Sequence, residues 1–158
     1  MAGVLSVGVN VELTPITKDN VDEVLGLSVA PGQEEFVATN AWSLAQAFAH
    51  SDVAWPRAIV ADGTVVGFLM FEIDPDDDDG TSYSLWRMMI DAGSQRKGYG
   101  AAALRCAFDE VRALGASEVF TSWVPGESGP AGFYLGLGFQ PTGELDEDEI
   151  VARLAIDS

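Results

Sequence analysis

One cysteine and one histidine stand in a sequence of 158 residues. A lone Cys106 excludes an intramolecular disulfide, and with no Cys/His cluster at ligand spacing a structural zinc site is excluded too, so no metal is expected. Basic residues are scarce, 8 against 25 acidic ones, and a formal charge of -17 would repel a phosphate backbone. Nucleic acid is therefore not expected as a partner, whereas a cationic partner is compatible. The same acidity also fits adaptation to a salt-rich cytoplasm, and charge alone does not choose between the two. No apolar run reaches the ~18 residues that span a bilayer, and the opening MAGVLSVGVN has no basic stretch ahead of an apolar one. A cytoplasmic protein with no membrane partner is expected.

What is present supports a packed core: 47% hydrophobic against 21% charged residues, in a length that suits one domain over 1–158. Residues 10–16 (NVELTPI) predict a strand, followed by a helix through DNVDEVLGL capped by Thr17. A second helix is expected over 39–50, with Trp42, Leu44, Ala45, Ala47 and Phe48 at helical spacing and Pro56 beyond it. Asp62-Gly63 between the apolar runs 57–60 and 64–72 predicts an antiparallel hairpin. Residues 74–80 (DPDDDDG) oppose regular structure and predict a solvated loop. A strand over 83–91, an amphipathic helix AAALRCAFDEVRALG, a strand over 118–124, a short helix over 130–137 and strands over 139–142 and 150–156 complete the chain. The alternation predicts one α/β domain with a mixed, mainly antiparallel sheet. His50 at a helix end and Cys106 among AAALRCAF are read as structural, the cysteine as a buried small hydrophobe.

The most informative segment is 95–100, QRKGYG, between a predicted strand and a helix. Gly98 and Gly100 let the backbone approach a ligand closely, and N–H groups at a helix start lack intrahelical acceptors and carry partial positive charge. Phosphate oxygens suit such a site, so an anionic cofactor is expected. Five of the eight basic residues, Arg87, Arg96, Lys97, Arg105 and Arg112, fall in this strand, turn and helix. Neither GxxxxGK[ST] nor GxGxxG occurs, which disfavours a P-loop or a dinucleotide fold.

The strand MMID followed by SQRKGYGAAAL resembles the acetyl-CoA-binding motif of the GNAT acetyltransferase superfamily, [QR]-x-x-G-x-[GA] opening a long helix. FYLGLGFQPTGE resembles its second signature, a Tyr closing a short helix before Gly-Phe and a strand. VELTPITKDN, QEEFVATNAWSLAQA, VVGFLMF, RMMIDAGSQRKGYG and DEIVARL are similar to successive blocks of bacterial spermine/spermidine N-acetyltransferases within that superfamily.

The resemblance implies a single GNAT-like domain, a mixed and mainly antiparallel sheet flanked by helices, that moves an acetyl group from acetyl-CoA to a primary amine. It implies direct attack in a ternary complex with a polyamine as the leading acceptor. The backbone of Met89 and Ile90 would hold the pantetheine arm, and the N–H groups of Gln95, Arg96, Lys97, Gly98, Tyr99, Gly100 and Ala101 the pyrophosphate. Tyr134 would be the general acid that protonates the departing thiolate. Glu34 and Glu35 would bind the cationic substrate.

An alkylammonium with a pKa near ~10 must also lose a proton. Glu34, Glu35, Glu72, Asp91, Glu144 and Glu149 are open candidates for the base. The chain departs from the family where an Asn and then a small residue usually precede the Tyr: Glu127 and Pro130 stand there, and a carboxylate cannot donate as an amide does. The alternatives are an aminoglycoside or peptide N-terminal acetyltransferase, or a non-catalytic acyl-CoA-binding sensor. Relatives that dimerise make a homodimer the expected assembly if the chain self-associates.

Overall fold

A continuous apolar run, VVGFLMF, can be buried on both faces only if helices cover both sides of the sheet that holds it. The computed structural model, which describes residues 9–74, 76–77, 83–127 and 129–156, has that arrangement. The strands are β1 (Glu12–Pro15), β2 (Ala54–Ala61), β3 (Thr64–Ile73), β4 (Tyr83–Ile90), β5 (Glu118–Trp123), β6 (Gln140–Asp146) and β7 (Glu149–Ala155). They form one seven-stranded sheet in the order β1-β2-β3-β4-β5-β7-β6. Every pair is antiparallel except β4 with β5. Helices α1 (Val21–Leu25) and α2 (Asn40–Ala49) cover one face, and α3 (Tyr99–Ala113) and α4 (Ala131–Leu137) the other.

Successive side chains of a strand point to opposite faces, and β3 divides its apolar residues accordingly. Phe68 and Met70 pack with Val24, Ala47 and Met89 under α1 and α2. Leu69 and Phe71 pack with Leu104, Val111, Val119 and Phe139 under α3 and α4. All four β3 side chains are fully buried, each stabilising the fold by about 1.5–3 kcal/mol. Where β3 crosses the end of β4 only glycine fits: a Cβ on Gly67 would lie 2.6 Å from the Met89 carbonyl oxygen.

Local chemistry accounts for most boundaries. The Thr39 hydroxyl accepts from Trp42 N–H and caps α2. Asp62-Gly63 turns β2 into β3 with both residues at positive φ. At the end of α3 the Ala116 N–H bonds back to the Val111 carbonyl and Gly115 takes a φ of 112°. The expected cap of α1 is displaced: Asn20, not Thr17, is the capping position, and Thr17 instead builds the preceding turn by exchanging hydrogen bonds with Asn20. Strand β2 begins three residues ahead of the expected one and includes Pro56, tolerated because β1 reaches only as far as Arg57. The expected loop at 74–80 lies mostly outside the described residues. Among the described residues no helix is long and apolar enough to cross a membrane.

Candidate active site

The site begins as a fault in the sheet. Strands β4 and β5 pair only at Ser84 with Phe120 and Leu85 with Thr121. Beyond Leu85 the register of β4 against β3 slips by one residue, leaving Trp86 as a bulge, a device that bends a strand and re-aims its side chains. The two strands then part, and the β5-side edge of residues 86–90 meets no strand. A cavity of about 970 Å³ fills the gap, the size of a small-molecule site. Met88, Met89 and Ile90 form one wall, Trp123 and Val124 the other, and Phe133 and Tyr134 of α4 lie between.

The turn from β4 into α3 closes one end. Asp91 accepts from Ser28 N–H at 2.9 Å and Gly93 N–H at 3.3 Å, which ties the turn to the segment after α1. Gln95 Nε2 donates to the Ile90 carbonyl and to Gln33 Oε1, both at 2.9 Å. Arg96 (φ 64°) and Gly98 (φ 83°) then take left-handed conformations that turn the chain into the helix. The first intrahelical bond is Ala102 N–H to the Gly98 carbonyl, so the preceding N–H groups of the first turn have no helical acceptor. A Cβ on Gly100 would meet Phe133 Cζ at 3.2 Å and Met88 Cε at 3.5 Å, so its absence keeps a narrow backbone-lined channel open. Unpaired N–H groups, Arg96 and this glycine-lined channel suit an elongated ligand with a phosphate end.

Tyr134 is buried under aromatic rings. It stacks on Trp123 at 5.5 Å, and Phe133 and Phe139 meet it edge-on at 5.2 and 5.6 Å. Burial raises the phenol pKa to about 12, opposed in part by a side-chain hydrogen bond with Thr121. Thr121 in turn donates to the Leu85 carbonyl at 3.3 Å, at the last rung of the β4–β5 pairing. The phenol therefore keeps its proton throughout the neutral range. A difference titration of phenolate absorbance, wild type minus Tyr134→Phe, is expected to show the Tyr134 step near pH 12. Because the folded pKa lies above the ordinary 10.0, this group's contribution to stability is intact below about pH 10. It falls by about 1.4 kcal/mol per pH unit until both states are ionised. A step near pH 10 would show the phenol to be solvated.

On the opposite face of the sheet, beyond α2, a second cavity opens from the same splay. It carries the carboxylates of Glu72, Glu144, Asp146 and Glu149, and it shares Leu85, Trp86, Arg87, Thr121, Ser122 and Glu149 with the first. Among the described residues no group of three acids or other ligands is close enough to hold a metal ion. Burial raises the Glu72 pKa first, then repulsion from Asp74 and Asp77, with His50 opposing. Arg87 is the cation of this region: its guanidinium donates to Gln46 Oε1 at 2.8 Å and to the Trp86 carbonyl at 3.1 Å. Burial lowers its pKa while Glu149 raises it. Ser122 Oγ donates to Glu149 Oε1 at 2.8 Å.

Met89, Ile90, Gln95, Arg96, Gly98, Tyr99, Gly100 and Ala101, expected together from the sequence, do line one cavity with Tyr134. Lys97 is exposed and lies outside that lining, as does Glu127. Glu34 and Glu35 sit exposed at the rim, on a 3-10 turn over Glu34–Phe36. There Phe36 packs on Gly126 and Gly129: a Cβ on Gly126 would lie 2.7 Å from its ring and one on Gly129 3.1 Å. Cys106 is half-buried rather than buried, because its position on α3 faces the edge strand, where its thiol lies 3.7 Å from the Val11 carbonyl. Thr121 and Ser122 carry no motif that the sequence marks as functional. Their one sequence signal is a pair of hydroxyls, Thr121-Ser122, inside an otherwise apolar strand.

Among the described residues the seven-stranded mixed sheet splits between its one parallel pair, β4 and β5, with a glycine-lined turn and helix start beside the split. Residues 17–139 match the model of the Acetyltransferase (GNAT) family, and the chain belongs to that family. The fold is shared with an acetyltransferase from Thermus thermophilus (TM-score 0.69, 15% identity, 93% of this chain and 97% of that one). It is shared also with the PaiA N-acetyltransferase of Thermoplasma acidophilum in complex with coenzyme A (0.67, 14%, 92% and 99%). A third is the ribosomal-protein-S18-alanine N-acetyltransferase of Escherichia coli (0.69, 14%, 94% and 96%). No curated protein sequence gives a significant match. The protein is thus an acetyltransferase, and acetyl-CoA is the acyl donor its family uses.

Proposed function

We propose that residues 1–158 form one cytoplasmic enzyme domain that acetylates a primary amine, with a polyamine such as spermidine or spermine as the leading acceptor. The observation that carries this reading is the acid-bordered cavity that opens onto the β4–β5 splay from the face opposite α3. A polycation gains an ion pair with each carboxylate it reaches, and the overall charge of -17 attracts it over longer range.

In this reading the N–H groups of residues 95–101 and the Arg96 side chain hold the pyrophosphate of acetyl-CoA at the start of α3. The free edge of Met89 and Ile90 receives the pantetheine arm, and the bound group supplies an activated acetyl thioester at the splay. Phe133 and Trp123 line it with aromatic surface. Tyr134, kept protonated by burial, gives its proton to the departing thiolate. Glu34 and Glu35 at the rim take a distal ammonium. Among the described residues β6 is the end strand of the sheet, the edge through which a homodimer assembles in this reading.

The test is the initial rate of CoA thiol release from acetyl-CoA with spermidine, spermine, an aminoglycoside panel and a panel of N-terminal peptides. The polyamines are expected to give the highest kcat/KM. Faster turnover of peptides or aminoglycosides would replace the acceptor class. Acetyl-CoA binding with no turnover on any amine would make the protein a sensor.

A further inference from the structure

We propose that Glu149 is the base that deprotonates the incoming ammonium, held for that task by Ser122. This inference rests on the acetyl-transfer reading above. Thr121 and Ser122 are consecutive residues of β5, so they face opposite sides of the sheet, at the point where β4 and β5 part. Thr121 bonds the Tyr134 phenol on the α4 side. Ser122 bonds Glu149 at 2.8 Å on the other side. One dipeptide thereby sets a proton donor and a proton acceptor on the two faces of the gap in which the thioester carbonyl would lie.

The other carboxylates are less suited. Both Asp91 oxygens accept from backbone N–H groups. Glu72 and Glu144 border only the acidic cavity. Glu34 and Glu35 stand exposed at the far rim, and Glu34 Oε2 accepts from Gly32 N–H at 2.8 Å. Glu149 is half-buried and borders both cavities. Ser122 engages Oε1, and Oε2 has no hydrogen-bond partner among the described residues. The charged groups around it are Arg87 from β4, Glu72 from β3, and Glu144 and Asp146 from β6. Arg87 stands beside Glu149 as the cation of this cavity, and the acids draw the ammonium towards it.

The proton balance closes. The ammonium gives one proton to Glu149, and the freed lone pair forms the N–C bond as the C–S bond breaks. The thiolate takes the Tyr134 proton, the nitrogen's second proton restores the phenol, and Glu149 releases the first to solvent through the acidic cavity.

Glu149→Gln keeps the acceptor oxygen for Ser122 and removes only the base. At pH 7 its kcat/KM with spermidine is expected to fall about 10²-fold, with the acetyl-CoA Kd and the melting temperature unchanged. The deficit should close as pH rises towards the acceptor's pKa near ~10, where the amine arrives neutral. A deficit constant with pH, or a rise in acceptor KM with kcat untouched, would overturn the base role and leave Glu149 a binding group. Full activity of the variant would remove it from the reaction altogether. Absence of wild-type turnover on every amine would instead sink the acetyl-transfer reading, and this inference with it.

Discussion

Tyr134→Phe is expected to lower kcat by about 10² to 10⁴-fold, the range for loss of a positioned general acid, the role proposed for Tyr134, while leaving the acetyl-CoA Kd within about two-fold. The separation follows from how the residue is held. Its ring is fixed by Trp123, Phe133 and Phe139, and phenylalanine fills the same volume, so the cavity wall survives the change. What disappears is the hydroxyl and its link through Thr121 to the Leu85 carbonyl. With the phenol as the proposed proton donor to the thiolate, the loss falls on the step that breaks the C–S bond. An acetyl donor whose thiol is much more acidic than that of CoA should regain much of the rate in the variant, because its thiolate departs without help. A variant with wild-type kcat would show that water, not Tyr134, delivers the proton.

Phe139→Ala is expected to cost about 3–5 kcal/mol of stability, the usual range for truncating a buried phenylalanine to alanine. Phe139 is 2% exposed, lies 6.3 Å from the Phe108 ring centroid on α3 and meets Tyr134 edge-on from below. Its N–H also bonds to the Tyr134 carbonyl at 3.1 Å, after the left-handed Gly138 ends α4. The one side chain therefore packs α3 and α4 on the sheet and braces the proposed proton donor. Denaturant unfolding should show the lower midpoint without a change in slope. The folded fraction should also lose kcat, because the Tyr134 ring gains room to tilt. Phe139→Leu should recover most of the stability. A loss below about 1 kcal/mol for the alanine variant would mean that the α4 end is packed by other contacts.

Much of this architecture follows from short stretches of chain. Asp62-Gly63 and Gly115 act on neighbours within a few residues, and each places its turn or helix end where the sequence predicts it; Thr39, expected as the first helical residue, is the cap one position before it. The helix over Tyr99–Ala113 is legible from the spacing of Ala103, Leu104, Ala107, Phe108 and Val111, which it buries together with Ala102. Thr17 misleads because Asn20 bonds back to Thr17 N–H and sets the cap three residues later. The β6–β7 hairpin is hidden for a different reason. Its turn, Glu147-Asp148, uses a glutamate at φ 56° instead of Gly or Asn, so the run DEDE carries no turn signature.

By itself the sequence determined the α/β class, the glycine turn at the start of α3, the tyrosine of the second signature and the acidity of the molecule. Each of these lies in one contiguous segment, where hydrophobic periodicity, backbone chemistry or charge can be read directly. Only the tertiary structure decided where the sheet splits and which carboxylate stands at the split. That choice depends on Leu85 pairing with Thr121, on the bulge at Trp86 and on Ser122 reaching Glu149 across 27 residues of chain. A charge pattern along the chain does not encode distances between strands, and the neighbours of a carboxylate are set by sheet order and register.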